Sequence, residues 1–220
     1  MGVFFAKKYL RMKYIVSVPL VLVLVLVSCK EEGKNFSKAQ GLKFSADNAG
    51  LSVPEGFKVI KVADSLGKPR HIAVGANGGI YVKLRQPING KSILYLEDNN
   101  GDGIVDTKEG FGDYGGTGIY LDNNYLYASS DEAVFRYPIN NAGKVSNTTP
   151  DTLITNLIAG KTHATKSFTL DGDGNIYVNI GAYSNACQEQ DRTIGSPAMM
   201  PCKILDSAGG IWRFRADKFN

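Results

Sequence analysis

The chain has 220 residues, of which 43% are hydrophobic and 25 are glycine, and these values fit a globular protein with many turns. The formal charge of +4 comes from a basic stretch near the N-terminus, because from Cys29 onward 21 basic residues stand against 21 acidic ones. A neutral chain without a basic run gives no electrostatic footprint for nucleic acid, so no nucleic-acid partner is expected.

The first 28 residues have the pattern of a bacterial lipoprotein signal peptide. A basic stretch, 7–13, precedes an apolar run, 15–27, that is short for a membrane span. The run ends in Leu26-Val27-Ser28-Cys29, which resembles the lipobox. This predicts cleavage before Cys29 and lipid on that cysteine, and the alternative is an ordinary signal peptide with a chance cysteine. We therefore expect an exported protein, periplasmic or at the cell surface, held at a bacterial membrane by its lipid alone.

The next segment, 29–50, is polar and charged with little apolar surface to bury, so it is interpreted as a flexible tether. From residue 51 the chain repeats a hairpin at a spacing of roughly 50 residues, a period expected of β-propeller blades. Second strands of the hairpins carry Tyr81, Tyr127 and Tyr177, and further strands are predicted at Lys58–Ala63, 93–96, 134–137 and 211–214. Helical periodicity is weak throughout.

The repeat predicts an all-β fold in which 51–220 forms about three blades of four-stranded antiparallel sheet. Three such blades cannot close a ring without leaving an unpaired sheet edge. The chain is therefore expected to be a truncated or incomplete form, the N-terminal part of a larger propeller. The alternative is a small open β-sheet protein that is complete in itself.

An acidic segment, 98–109, matches the calcium-loop pattern D-x-N-x-D-G-x5-E at every position. Its candidate oxygen ligands are spaced as a hard cation requires: Asp98, Asn100, Asp102, Ile104 through its carbonyl, Asp106 and Glu109. The helices that flank such a loop in EF-hands are not predicted here. The pattern indicates a structural calcium site, and the alternative is a solvated turn that binds nothing.

Two histidines, His71 and His163, begin or precede the innermost strand of a predicted blade. Such positions face the central channel of a propeller, where a neutral imidazole can act as a general base. From spacing alone, a structural histidine remains the alternative.

Cys187 and Cys202 are the only cysteines besides Cys29. An exported protein meets an oxidising compartment, so we expect a disulfide between them, which would stabilise the fold by roughly 3 kcal/mol. A metal site of two cysteines and a histidine is the alternative, but the CxxC spacing of such sites is missing.

Three groups of residues resemble the glucose/sorbosone dehydrogenase family, and together they span roughly residues 53 to 220. The first group is 68–74 with 79–82, and the second is His163 followed by 173–181. The third and most specific group runs from Ser184-Asn185-Ala186-Cys187 to the Gly-Gly-Ile-Trp-Arg-Phe sequence of 209–214, and is similar to the sorbosone-dehydrogenase-like branch. The likeness covers the N-terminal half of such a domain.

The resemblance implies a six-bladed β-propeller that uses pyrroloquinoline quinone (PQQ) to oxidise a sugar, polyol or sugar aldehyde. It implies a cytochrome or quinone as electron acceptor, and it implies that His163 takes the substrate hydroxyl proton while hydride passes to PQQ. Arg70 and Arg192 are candidates to face the cofactor carboxylates. For both arginines, a surface or loop ion pair is the alternative.

The chain also departs from the family pattern. Thr162 stands where the soluble glucose-oxidising members carry an acid, and their glutamine before the second blade is replaced within Gly115-Gly116-Thr117. Most basic cofactor contacts of the family come from later blades, so this chain by itself is not expected to hold PQQ or turn over. The second hypothesis is therefore a non-catalytic cell-surface propeller that binds glycans or proteins.

Overall fold

The computed structural model describes residues 41–122, 124–159 and 162–217. The predicted signal peptide, the lipidation site Cys29 and most of the predicted tether lie outside these residues. Two short 3-10 turns, Asn48–Gly50 and Lys203–Asp206, are the helical segments of the described part. Neither turn is long and apolar enough to cross a membrane, and no other helix is found in those ranges.

Eleven strands form three antiparallel sheets. The first sheet contains β1 (Pro69–Val74), β2 (Ile80–Ile88), β3 (Lys91–Glu97) and β4 (Thr107–Phe111). The second contains β5 (Ile119–Leu121), β6 (Tyr125–Ser129), β7 (Val134–Pro138) and β8 (Asp151–Ile154). The third contains β9 (Phe168–Leu170), β10 (Asn175–Ile180) and β11 (Gly210–Arg215). Each sheet is a meander in chain order, so the predicted all-β fold is confirmed.

The three sheets are arranged as blades, because their first strands lie next to one another. β1 contacts β5, and β5 contacts β9. The first strand of each sheet is therefore the innermost, and later strands lie progressively further out. The prediction of a partial propeller is confirmed by this arrangement.

The hydrophobic core fills the seams between neighbouring blades. One cluster of buried side chains joins the first two sheets, with Tyr81, Ile93 and Tyr137 among its members. Another joins the second and third sheets and includes Leu153 and Ile176. Alternating apolar residues on each strand supply the side chains that fill these seams, since successive side chains of a strand point to opposite sides of the sheet.

The strand predicted at Lys58–Ala63 is wrong, because this segment is extended but joins no sheet ladder. Its carbonyls are used one at a time: Val59 accepts a hydrogen bond from the Ser45 amide, and Val62 accepts one from the Val105 amide. With two separate partners on different segments, the chain cannot form the repeated pairing that defines a strand.

Candidate functional site

His163 lies on the segment that enters β9, the innermost strand of the third blade. Its side chain is exposed, and its ring Nε2 lies 2.7 Å from the Asn185 amide oxygen. Its backbone is in the left-handed region, with a φ of 55°. For a residue other than glycine this conformation is uncommon, so surrounding contacts must hold it.

Two contacts beside His163 hold that conformation. The hydroxyl of Thr162 donates to the Tyr183 carbonyl over 2.6 Å. Gly181 packs directly against His163, since a Cβ at residue 181 would lie 2.5 Å from the His163 carbonyl oxygen and 2.6 Å from its Cβ. Only glycine permits this approach, which brings the segment after β10 against the segment before β9.

The segment that carries Asn185 is fixed on both sides. The hydroxyl of Ser184, which is buried, donates to the Asp191 carboxylate over 2.6 Å. On the other side, Cys187 forms the predicted disulfide with Cys202, with Cα atoms 5.9 Å apart. Asn185 therefore presents its amide to His163 from a short, doubly anchored loop. We name Thr162, His163, Gly181, Tyr183 and Asn185 the His163 site.

The other residues proposed from the sequence as channel or cofactor contacts are exposed. Arg70 and His71 lie on β1, the innermost strand of the first blade. Arg70 lies near the start of β1, and His163 lies shortly before the start of β9. Arg192 lies in the disulfide loop, and its guanidinium is 3.9 Å from the carboxylate of Asp191. Neither the catalytic role of His163 nor the cofactor roles of the arginines is tested by these positions.

A fully buried lysine, Lys83 on β2, lies in the seam between the first two blades. Its ammonium donates to the Ser92 hydroxyl over 3.0 Å and to the Tyr114 carbonyl over 2.6 Å, and lies 4.1 Å from the centre of the Tyr114 ring. Burial lowers the pKa of Lys83 to about 7, and the negative charge of Asp131 opposes that shift. Asp131 itself is bound by both terminal nitrogens of Arg85, at 2.9 and 3.1 Å, so this ion pair bridges the same two blades.

A second fully buried lysine, Lys166, precedes β9 and lies between the second and third blades. Its ammonium donates to the Ala164 carbonyl, and burial lowers its pKa. The Lys166 carbonyl accepts a hydrogen bond of 2.6 Å from the buried hydroxyl of Ser129 on β6. These contacts fix the path of the chain between His163 and β9.

The glycines before the second blade are explained by close backbone packing. A Cβ at Gly115 would lie 2.2 Å from the Arg85 carbonyl oxygen, and one at Gly116 would lie 2.0 Å from that of Ser129. A glutamine could not be accommodated at either position without moving the backbone.

The predicted calcium loop directs most of its oxygens to its own backbone. Asp98 accepts hydrogen bonds from the Gly101 and Gly103 amides, both over 2.7 Å. One oxygen of Asp102 accepts from the Ile104 amide, and the other pairs with the Lys43 ammonium at 2.7 Å. In this arrangement a lysine inside the predicted tether supplies the positive charge next to Asp102.

The last ligand expected in that loop, Glu109, lies on β4 and pairs with Tyr95 of β3. It lines a small cavity in the seam of the first two blades together with Tyr81 and Lys144. Within the three described ranges, no group of three or more His, Cys, Asp or Glu side chains is placed to hold a metal ion. Calcium binding by Asp98, Asn100, Asp102, Ile104, Asp106 and Glu109 therefore stays a prediction.

Sequence reasoning missed Asn185 as the partner of His163 and missed both buried lysines. Lys83 had a local signal, since it lies inside the apolar run Ile80-Tyr81-Val82-Lys83-Leu84 on a strand with both faces covered. Asn185 had no such signal, because its contact with His163 joins residues 22 positions apart on two loops.

Known structures include proteins with a fold similar to that of this chain. The Trichoderma reesei carbohydrate-active enzyme of family AA12, in its calcium structure, aligns with 70% of this chain at 20% identity and a TM-score of 0.53. The PQQ domain of pyranose dehydrogenase from Coprinopsis cinerea, in its holo form, aligns with 61% of this chain at 22% identity and a TM-score of 0.51. The alignments cover 37% and 32% of those two chains, so this chain spans only part of their length. A comparison with curated proteins finds no match.

The three sheets thus define part of a β-propeller of the class found in PQQ-domain sugar dehydrogenases, as the sequence resemblance predicted. The family model described as TrAA12-like matches residues 51–201, and the chain belongs to this family.

Proposed function

We propose that this chain is part of a PQQ-dependent enzyme that oxidises a sugar, polyol or sugar aldehyde. The observation that carries the proposal is the exposed His163 at the entrance of an innermost propeller strand, held in a strained backbone conformation by specific contacts, in a member of the TrAA12-like family. Strained, over-determined residues of this kind are found preferentially at functional sites.

In this proposal His163 accepts the proton of the substrate hydroxyl. An imidazole suits this role because its neutral form is available near pH 7 and is an acceptor at one ring nitrogen. The bound PQQ would accept a hydride from the carbon that carries this hydroxyl, so that the substrate loses one hydride and one proton in total. The substrate leaves as the carbonyl compound.

The cofactor would need cationic partners for its carboxylates. Arg70 fits this requirement, because it is exposed near the start of an innermost strand, and Arg192 is the second candidate. The two buried lysines do not fit, because their ammonium groups donate to backbone carbonyls within the seams. Arg70 and Arg192 are therefore the candidate partners of the PQQ carboxylates in the described residues, and we expect the remaining contacts from the rest of a complete propeller.

We extend the proposal to the setting of the reaction. Export and lipid anchoring at Cys29 would place the enzyme at a bacterial membrane, where a cytochrome or quinone could take up its electrons. Calcium at the acidic loop would have a structural role and would have to displace Lys43 from Asp102.

Reconstitution tests the proposed oxidation. The complete protein, supplied with PQQ and calcium, should reduce a dye with at least one member of a panel of aldoses, polyols and sorbosone. A complete failure with a folded, PQQ-loaded protein would contradict the proposal. It would favour a propeller that binds glycans or proteins without catalysis.

The role of His163 is tested by His163→Asn, chosen because asparagine tolerates the left-handed backbone better than alanine. Single-turnover reduction of bound PQQ should slow by roughly two to four powers of ten, the usual value of a positioned base, while Tm stays near that of the wild type. His71→Gln serves as the comparison. Loss of the reaction in His71→Gln with full activity in His163→Asn would place the base at the other histidine.

A further inference from the structure

The ring of His163 has two nitrogens, and one of them, Nε2, is hydrogen-bonded to a neighbouring side chain. Nε2 lies 2.7 Å from Asn185 Oδ1, an oxygen that can only accept a hydrogen bond. With the amide oxygen of Asn185 facing the ring, the neutral imidazole carries its proton on Nε2, which leaves the Nδ1 lone pair as the ring site able to take a proton.

Asn185 can hold the orientation of the His163 ring, because the loop that carries Asn185 is anchored on both sides. Ser184 anchors one side through its hydrogen bond to Asp191, and the Cys187–Cys202 disulfide anchors the other. The His163 side is anchored independently by the bond from the Thr162 hydroxyl to the Tyr183 carbonyl. Two hydrogen bonds therefore join the loops. The bond from Thr162 to the Tyr183 carbonyl fixes the backbone, and the bond between His163 and Asn185 fixes the orientation of the ring.

The chemistry of an amide differs from that of a carboxylate in this position. An amide oxygen orients the ring and selects its tautomer without adding a negative charge next to it. The acid that the family pattern places before the histidine is Thr162 here, whose hydroxyl faces a backbone carbonyl instead of the ring. Ring orientation in this chain thus depends on a neutral side chain from the disulfide loop.

We propose that Asn185 is the positioning residue of His163: it holds the Nε2–H tautomer and presents Nδ1 as the nitrogen that accepts the substrate proton. This inference rests on the proposed oxidation for its catalytic part, but the tautomer it requires exists without cofactor or substrate. It can therefore be tested separately.

The direct test is the histidine tautomer, measured by ¹⁵N NMR on the full chain labelled at histidine. The chain has two histidines, so His71→Gln assigns the signals of His163. In the wild type, above the pH at which the ring is protonated, the proton should be on Nε2. In Asn185→Leu the share of this tautomer should fall to that of a free histidine side chain, which itself favours Nε2–H, whereas Asn185→Asp, which keeps an acceptor oxygen, should retain the higher share of the wild type.

Asn179→Leu is the matched control, because Asn179 is also an exposed asparagine of the third blade, on β10 opposite Ile211. It should leave the tautomer of His163 unchanged. A wild-type His163 with its proton on Nδ1, or a share of Nε2–H in the wild type no higher than in Asn185→Leu, would overturn the assignment.

The catalytic part is read from PQQ-loaded complete protein. Asn185→Leu should lower kcat by about a hundredfold with a much smaller change in KM, as expected when a reacting group loses its orientation, and Asn185→Asp should restore most of it. An unchanged kcat in an Asn185→Leu variant that has lost the tautomer would overturn the positioning role. If no variant, including the wild type, oxidises any substrate while the tautomer shifts as expected, the proposed oxidation fails and the hydrogen-bond assignment stands.

Discussion

Two regions of the first blade, its seam with the second blade and its acidic loop, each have a lysine beside them. The pKa values of these two lysines shift in opposite directions. In the seam with the second blade, Lys83 is fully buried, and burial lowers its pKa to about 7. At the acidic loop, Lys43 is exposed, and its hydrogen bond to Asp102 raises its pKa. Lys83 is bound by the Ser92 hydroxyl and the Tyr114 carbonyl and Lys43 by a carboxylate, so the two lysines differ in burial and in the charge of their partners.

A different effect sets the pKa of the lysine in each region: desolvation in the seam and the hydrogen bond to Asp102 at the loop. In the seam, the cost of removing an ammonium from water exceeds the attraction of Asp131, which is itself bound to Arg85. At the loop, the Lys43 side of the pair is exposed to water, so attraction is screened and adds little to stability. Changes in the seam should therefore have large effects, and changes at the loop small ones.

The largest effect is expected from the pH dependence of Lys83. Its folded-state pKa of about 7 lies below the ordinary value of 10.5, so between these values the unfolded chain binds a proton that the folded chain has released. Stability therefore rises with pH across this window, by about 1.4 kcal/mol per unit for one group. The free energy of unfolding of the wild type, relative to Lys83→Met, should increase by ~3 kcal/mol from pH 7 to pH 9.5.

Urea unfolding of both proteins at the two pH values measures this change. Lys91→Met, which alters an exposed lysine on β3, is the control and should show no comparable pH-dependent gap. A constant difference between wild type and Lys83→Met would mean that the seam is hydrated and that the two regions do not differ as described.

The next effect concerns backbone packing in the same seam. Gly116→Ala places a Cβ 2.0 Å from the Ser129 carbonyl oxygen, so β6 must shift. We expect a loss of about 1–3 kcal/mol, the usual cost of overpacking. Gly172→Ala is the control, because a Cβ at residue 172 meets nothing within 4 Å. Equal stability of the two variants in urea unfolding would contradict a close-packed seam.

A smaller effect is expected at the acidic loop from calcium. If the loop binds the ion, titrated calcium should raise Tm by a few degrees through mass action. Asp98→Ala combined with Asp102→Ala should abolish that rise, whereas Asp113→Ala, an exposed carboxylate outside the loop, should not. A rise that persists in the double variant would place the ion elsewhere.

The smallest effect is expected from Lys43→Met. Its pair with Asp102 is exposed on the lysine side, so its removal should change Tm far less than Gly116→Ala does. In the same variant, calcium should bind more tightly, because the competing ammonium is gone. Thermal unfolding measures Tm, and calorimetric titration measures calcium binding, each at low and high salt. Tighter calcium binding by the wild type would show that Lys43 does not compete for Asp102.

Local patterns predicted the repeated parts of this molecule well. Alternation along each hairpin gave the first three strands of every blade, because a strand between two packed sheets must present apolar residues to both seams. The fourth strands, β4 and β8, were missed: Thr107–Phe111 was interpreted as the end of a calcium loop, and its exposed charged residues conceal its pairing with β3. The segment at Lys58–Ala63 alternates like a strand but has no neighbouring strand with which to pair.

The sequence alone determined the all-β class, the period of the blades and the pairing of Cys187 with Cys202, because each depends on residues close together in the chain or on a choice with few alternatives. Tertiary structure decided that Glu109 lines a seam, that Lys83 is buried and that Asn185 binds the His163 ring. Those three outcomes depend on how separate blades and loops pack against each other. Water access and the reach of a side chain are set by that packing, and the apolar run around Lys83 is the one local pattern that indicates any of the three outcomes.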